Sequence, residues 1–120
     1  MMRTFAVLAA LALVVAAAAA ARPAAKTLTG AVGPGYTISL KQNGKSVKKL
    51  TAGTYTFRVA DKSSMHNFEL EKERGGKFEK EITDVSGTGT TTVKIKLTKG
   101  TYTYYCKPHE SFMHGSFTVT

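Results

Sequence analysis

Cys106, His109 and Met113 lie close together in Tyr104-Tyr-Cys-Lys-Pro-His-Glu-Ser-Phe-Met-His-Gly-Ser-Phe117. The chain has one cysteine, three histidines and four methionines, and this stretch holds the cysteine, two of the histidines and one methionine. The remaining histidine, His66, sits in Ser64-Met-His-Asn-Phe68. A thiolate, two imidazoles and a thioether are soft or borderline donors, the set that suits copper cycling between its two oxidation states. Cys106 and His109 flank Lys107-Pro108, so both can reach one ion from a tight loop. Met113 lies on the return of that loop, before Gly115 opens the final strand. A lone Cys-x2-His pair carries little by itself. Its weight here comes from the conjunction with His66, with Met113 and with the surrounding pattern.

That pattern has period two. Tyr55, Phe57 and Val59 alternate with Thr54, Thr56 and Arg58; Val93, Ile95 and Leu97 alternate with Thr92, Lys94 and Lys96; Phe117 and Val119 alternate with Ser116 and Thr118. Alternation of this kind marks strands with one buried and one wet face. Residues 27–32, 36–40 and 66–71 also read as strands. Gly30, Gly33-Pro34-Gly35, Asn43-Gly44, Gly75-Gly76 and residues 87–89 supply the turns. No stretch has a helical period, so seven or eight short strands predict an all-β sandwich or barrel. One internal echo stands out: Leu50-Thr-Ala-Gly-Thr-Tyr-Thr-Phe57 matches Leu97-Thr-Lys-Gly-Thr-Tyr-Thr-Tyr104. Two equivalent strands entered by equivalent turns would finish at the same end of the sandwich. One leads through a short loop to His66 and the other directly to Cys106, so residues 40 apart in sequence would meet at one pole.

The N-terminus reads as a secretory signal peptide over residues 1–21: Met1-Met2-Arg3, an apolar run from Phe5 to Ala21 ending in small residues, then Arg22-Pro23. Cleavage leaves residues 22–120 as one domain, large enough to build a core without staples. An exported, periplasmic or extracellular protein with one cysteine has no internal disulfide. A free thiol there is a liability unless a metal holds it. The formal net charge is +9. The lysines are scattered, which steers acidic partners and anionic membrane surfaces toward the protein. Export and the lack of arginine clusters exclude nucleic acid as the partner.

Residues 64–68 and 104–119 make the chain resemble the cupredoxins, the small blue-copper proteins of the plastocyanin and azurin kind. The resemblance implies a Greek-key β-sandwich holding one type 1 copper. It matches His66, Cys106 and His109 to the equatorial ligands and Met113 to the axial one. It gives Asn67 the role of tying the His66 strand to the cysteine loop, and it makes the exposed edge of His109 the port for outer-sphere electron transfer. The spacing from Cys106 to His109 is plastocyanin's, whereas that from His109 to Met113 is azurin's. His114 sits at plastocyanin's methionine spacing and competes with Met113, but adjacent residues face opposite ways and the thioether completes the blue-copper set.

The leading function is then a monomeric carrier of single electrons between extracytoplasmic redox proteins, with acidic partners docking on an apolar rim of Met65, Pro108, Phe112 and Met113. The alternative is a copper carrier or buffer without electron traffic. A structural zinc site of His66, Cys106, His109 and His114 is a third reading, though zinc has little use for Met113. A redox enzyme of this kind would need several domains and His-x-His motifs, which the chain lacks. Tyr102, Tyr104 and Tyr105 read as sheet and core residues.

Overall fold

The computed structural model describes residues 26–120, together with residues 12 and 13. The signal peptide expected over residues 1–21 therefore lies, but for those two residues, outside the described part. Among the described residues no helix is long and apolar enough to cross a membrane.

The strands run in the order β1 (Thr27–Val32), β2 (Ile38–Gln42), β3 (Lys45–Ser46), β4 (Lys49–Leu50), β5 (Gly53–Asp61), β6 (Phe68–Arg74), β7 (Glu79–Thr83), β8 (Gly89–Leu97), β9 (Gly100–Tyr105) and β10 (His114–Val119). A single 3-10 turn, Lys107–His109, separates the last two. One sheet has the order β3-β2-β1-β5-β8 and the other β4-β10-β9-β6-β7. The two face each other as a Greek-key sandwich, so the expected all-β class holds. Strands β3 and β4 are only two residues long. Strand β7 was not legible beforehand, because its Glu-Lys-Glu start is exposed and only Ile82 and Thr83 turn inward. Strands β2 and β6 each begin two residues later than the sequence suggests. That shift leaves Tyr36, His66 and Asn67 in connecting loops.

The alternating residues form the core. Leu28, Val32, Leu40, Phe57, Val59, Phe68 and Leu70 are fully buried. Such side chains each contribute on the order of 1.5–3 kcal/mol by leaving water. Tyr102 stacks on Phe117 with ring centroids 5.4 Å apart, and Tyr104 stacks on Phe68 at 5.6 Å. All three tyrosines of β9 are buried, as a sheet-and-core role requires.

The internal echo has a structural meaning. Strands β5 and β9 lie in different sheets, and each opens on a glycine in the positive-φ region, Gly53 at 155° and Gly100 at 153°. Each then carries a tyrosine tied back to the preceding loop. The Tyr55 hydroxyl donates to the Thr51 carbonyl at 2.7 Å, and the Tyr102 hydroxyl accepts from the Thr98 amide at 3.1 Å. Each ring also carries a lysine ammonium, Lys26 over Tyr55 at 5.2 Å and Lys72 over Tyr102 at 5.4 Å. Equivalent corners start the two strands, and both strands end at the pole that holds His66 and Cys106.

Gly115 leaves the space that the Tyr104 side chain occupies where β10 pairs with β9. It pairs with Tyr104, whose phenol ring lies over it where a side chain would stand. A Cβ there meets ring atoms of a tyrosine already stacked on Phe68. Gly115→Ala is expected to destabilise the fold by about 1–3 kcal/mol, the usual penalty for overpacking. Urea unfolding checks this, and an unchanged midpoint would contradict it.

Candidate metal centre

His66 is reached through a loop built from local hydrogen bonds. The Asp61 carboxylate, at the inward-facing end of β5, accepts the Ser63 amide at 3.1 Å. The Ser63 hydroxyl accepts the Met65 amide at 3.1 Å, and the Ser63 carbonyl accepts the His66 amide at 3.4 Å. Serine and aspartate suit this task because their short side chains bond backbone groups two residues on. On the other side, the Cys106 amide donates to the Met113 carbonyl at 3.0 Å, extending the β9–β10 ladder by one rung. Within the loop the amides of His109 and Met113 close on the carbonyls of Cys106 and His109 at 3.1 and 2.9 Å. Pro108 sits in the first turn, where its missing amide is no loss.

These two loops bring three donor atoms together. Cys106 Sγ is 3.6 Å from Nδ1 of His66 and 3.6 Å from Nδ1 of His109, and the two Nδ1 atoms are 3.1 Å apart. The imidazoles meet edge to face, at 78°. Three atoms that all point at one another are a poor hydrogen-bond arrangement, since each can hold at most one proton and the protons would have to lie along the edges of a triangle. They are what a single central ion needs. Metal–nitrogen bonds of about 2.0–2.1 Å and a metal–sulfur bond of about 2.3 Å, at near-tetrahedral angles, put the donors about 3.3–3.6 Å apart. Among the described residues this is the one such group of His, Cys, Asp and Glu side chains.

Cys106 is fully buried and His66 nearly so, while His109 is half-buried at the surface. Met113 is also buried and belongs to the same apolar cluster as Cys106. His114 lies on the other side of the strand. It is exposed, and its Nδ1 is 2.8 Å from the Glu110 carbonyl. The rim around His109 needs one correction. Met113 is 1% exposed and is not part of it: just ahead of β10 it faces the core, while its neighbours Phe112 and His114 are exposed. Its place is taken by Tyr36, which packs edge-on against His109 at 5.2 Å and against Phe112 at 5.5 Å. Tyr36, Met65 and Phe112 are each about 60% exposed (61%, 59% and 59%); Tyr36 packs on Phe112 and on His66, which Met65 precedes, and the three make up an apolar collar. The Gly33-Pro-Gly35 turn could have marked Tyr36 as a loop residue, but nothing local points it at His109.

Asn67 is fully buried and joins the two ligand loops. Its Oδ1 accepts the Lys107 amide at 2.7 Å, and its Nδ2 donates to Glu69 Oε2 at 2.7 Å. Burial pushes the Glu69 carboxyl above its ordinary 4.5; the Asn67 bond and Lys107 oppose this, while Glu81 and Glu79 add to it. On the same face the Tyr105 phenol is 3.3 Å from Glu79. Burial, then Glu71, Glu69 and Glu79, hold that phenol protonated far past the usual range.

The fold and the donor triangle define a small β-sandwich protein built around a mononuclear site of two histidines and a cysteine. The family model for copper binding proteins of the plastocyanin/azurin family matches residues 32–120. The chain therefore belongs to the plastocyanin/azurin family, and its His66, Cys106 and His109 group, with Met113, matches a single type 1 copper. Among solved structures, it is similar to rusticyanin from Thiobacillus ferrooxidans (22% identity, 78% of this chain and 76% of that one, TM-score 0.55). Reduced rusticyanin (22%, 78% of each, 0.58) and a Cu(I) amicyanin variant (17%, 78% and 82%, 0.51) are also similar. At these identities the likeness shows the shared cupredoxin fold. No curated protein matches the chain.

The raised Glu69 value carries a sign. A carboxyl held above its unfolded value stabilises the fold fully at pH below 4.5, and that contribution is lost as pH rises through the folded value. Glu69→Gln in metal-free protein removes this loss. Urea titrations of both proteins from acid to neutral pH are expected to show the variant gaining stability relative to the parent as pH rises. Parallel curves would contradict it.

Proposed function

We propose that His66, Cys106, His109 and Met113 hold one copper ion and that the protein carries single electrons between redox proteins outside the cytoplasm. The observation that carries this reading is the donor triangle itself, fixed by backbone bonds at both loop ends while His109 stays at the surface. Bound copper supplies a one-electron couple there, and the thiolate and thioether favour the lower oxidation state as the imidazoles favour the higher. The residues do the rest. The two loops hold the donors apart at bonding distances, so little has to move when the charge changes. Burial of Cys106 and Met113 excludes water. The collar of Tyr36, Met65 and Phe112 brings a partner against the His109 edge by a small apolar contact, of the kind that transient redox encounters use. Export rests on the N-terminal pattern of residues 1–21. The scattered lysines suit acidic partners. No catalytic role is assigned.

One feature favours the alternative of copper delivery: Met65, an exposed thioether on the same rim, next to His66. Slow electron self-exchange combined with rapid transfer of Cu(I) to a chelator would select that reading over electron carriage.

Copper(II) added to the protein is expected to give an intense blue absorption and a narrow copper hyperfine splitting, both lost in Cys106→Ser. Met113→Leu is expected to shift the reduction potential strongly and His114→Ala hardly at all. A colourless, zinc-preferring protein, or colour that survives loss of the cysteine, would defeat the assignment.

A further inference from the structure

Glu69 is a carboxylate at 3% exposure in β6, between the core residues Phe68 and Leu70 and so on the opposite, outer face of the sheet. It pairs across β9 with Tyr105 and across β7 with Glu81. The charged groups around it are Glu81 and Glu79 from β7 and Lys107 beyond β9, so the carboxylate sits among more anions than cations. Burying a charge in such company is costly unless its hydrogen bonds compensate. Among the described residues its one side-chain hydrogen-bond partner is Asn67.

The chemistry of that contact is directional. Lys107 N–H can only donate, so the Asn67 atom facing it must be the carbonyl oxygen. The opposite end of the amide is then an NH2 group, which needs an acceptor. A carboxylate is an acceptor only. Glu69 and the Lys107 N–H therefore favour the same one of the two orientations of the Asn67 amide. An apolar residue there would leave the NH2 group buried and unsatisfied, and the amide would lose the bond that anchors its far end. Lys107 is the first residue of the turn between Cys106 and His109, and Asn67 follows His66. The amide thus links the residue that follows His66 to the residue that follows Cys106.

We infer that Glu69 is a positioning residue of the copper site. By locking the Asn67 amide against Lys107, it holds the His66 loop and the Cys106–His109 turn in register, and it adds a buried negative charge three residues beyond His66. This inference rests on the copper reading above, but its first readout needs no metal.

The test uses the whole mature protein with Glu69→Leu and Glu69→Gln. In metal-free protein, exchange of the Lys107 amide hydrogen is expected to quicken about tenfold or more in Glu69→Leu, the loss of one buried hydrogen bond. Amides of the β9–β10 ladder should be unchanged. Glu69→Gln, which keeps an oxygen able to accept from Asn67, is expected to restore slow exchange. In copper-loaded protein both variants lose the charge, and both are expected to show a raised reduction potential. Copper release is expected to quicken only in Glu69→Leu.

Lys107 exchange and a potential that match the parent in Glu69→Leu would overturn the inference. If Glu69→Leu does not fold, Glu69→Gln decides alone: a raised potential with slow Lys107 exchange supports it, and a potential equal to the parent's overturns it. A parent protein that fails to turn blue with copper would overturn the copper reading instead. The Lys107 exchange result would still stand or fall by itself.

Discussion

The hydrogen bond from the Cys106 amide to the Met113 carbonyl is the constraint on which the metal centre depends. It is the last rung of the β9–β10 ladder, and it sets the width of the mouth of the ligand loop. With the two ends of the loop pinned, the residues between have room for one short turn and its return. Cys106, His109 and Met113 then sit on a frame whose shape is set by sheet geometry. The thiol and thioether go inward and the imidazole of His109 faces out. Just beyond the loop, Gly115 leaves room for the Tyr104 ring over β10.

Only one donor comes from elsewhere, and the sandwich delivers it by symmetry of construction. Strands β5 and β9 begin at matching tyrosine corners in opposite sheets and end at one pole. His66 arrives over a serine-braced loop and stops with its Nδ1 3.6 Å from the sulfur. Asn67 then spans the gap with one short hydrogen bond from the Lys107 amide, and Glu69 satisfies the end of the amide that would otherwise be orphaned. A buried, under-compensated carboxylate is an unfavourable element of a plain sheet. Its presence makes sense where fixing an amide that joins the two ligand loops is worth more than the burial costs.

Much of this was legible in the sequence because it is written in local patterns. Period-two alternation marked the buried faces of β5, β8 and β10. The repeated Leu-Thr-x-Gly-Thr-Tyr-Thr stretch placed two chain segments at a common end. The spacing of Cys106, His109 and Met113 singled out a loop between strands. What stayed hidden depends on contacts between residues far apart in the chain. Tyr36 reaches His109 across 73 positions, and no local pattern encodes that. Glu69 looks like the polar half of an alternating strand, and its burial comes from Tyr105 and β7 packing over it. Strand β7 itself has too few inward residues to show a period. Met113 sits in an apolar-rimmed loop by sequence, yet its backbone bonds to Cys106 and His109 hold it where its side chain enters the core.

The central claim is that the polypeptide, not the ion, sets the geometry of the site. High-resolution crystal structures of the metal-free, Cu(I) and Cu(II) forms test it most directly. The account predicts that the donor atoms of His66, Cys106 and His109, and the backbone from Cys106 to Met113, superpose within about 0.5 Å in all three, as a preorganised site requires. A metal-free form in which the loop opens, with the Cys106–Met113 bond broken and the imidazoles turned away from the sulfur, would contradict it.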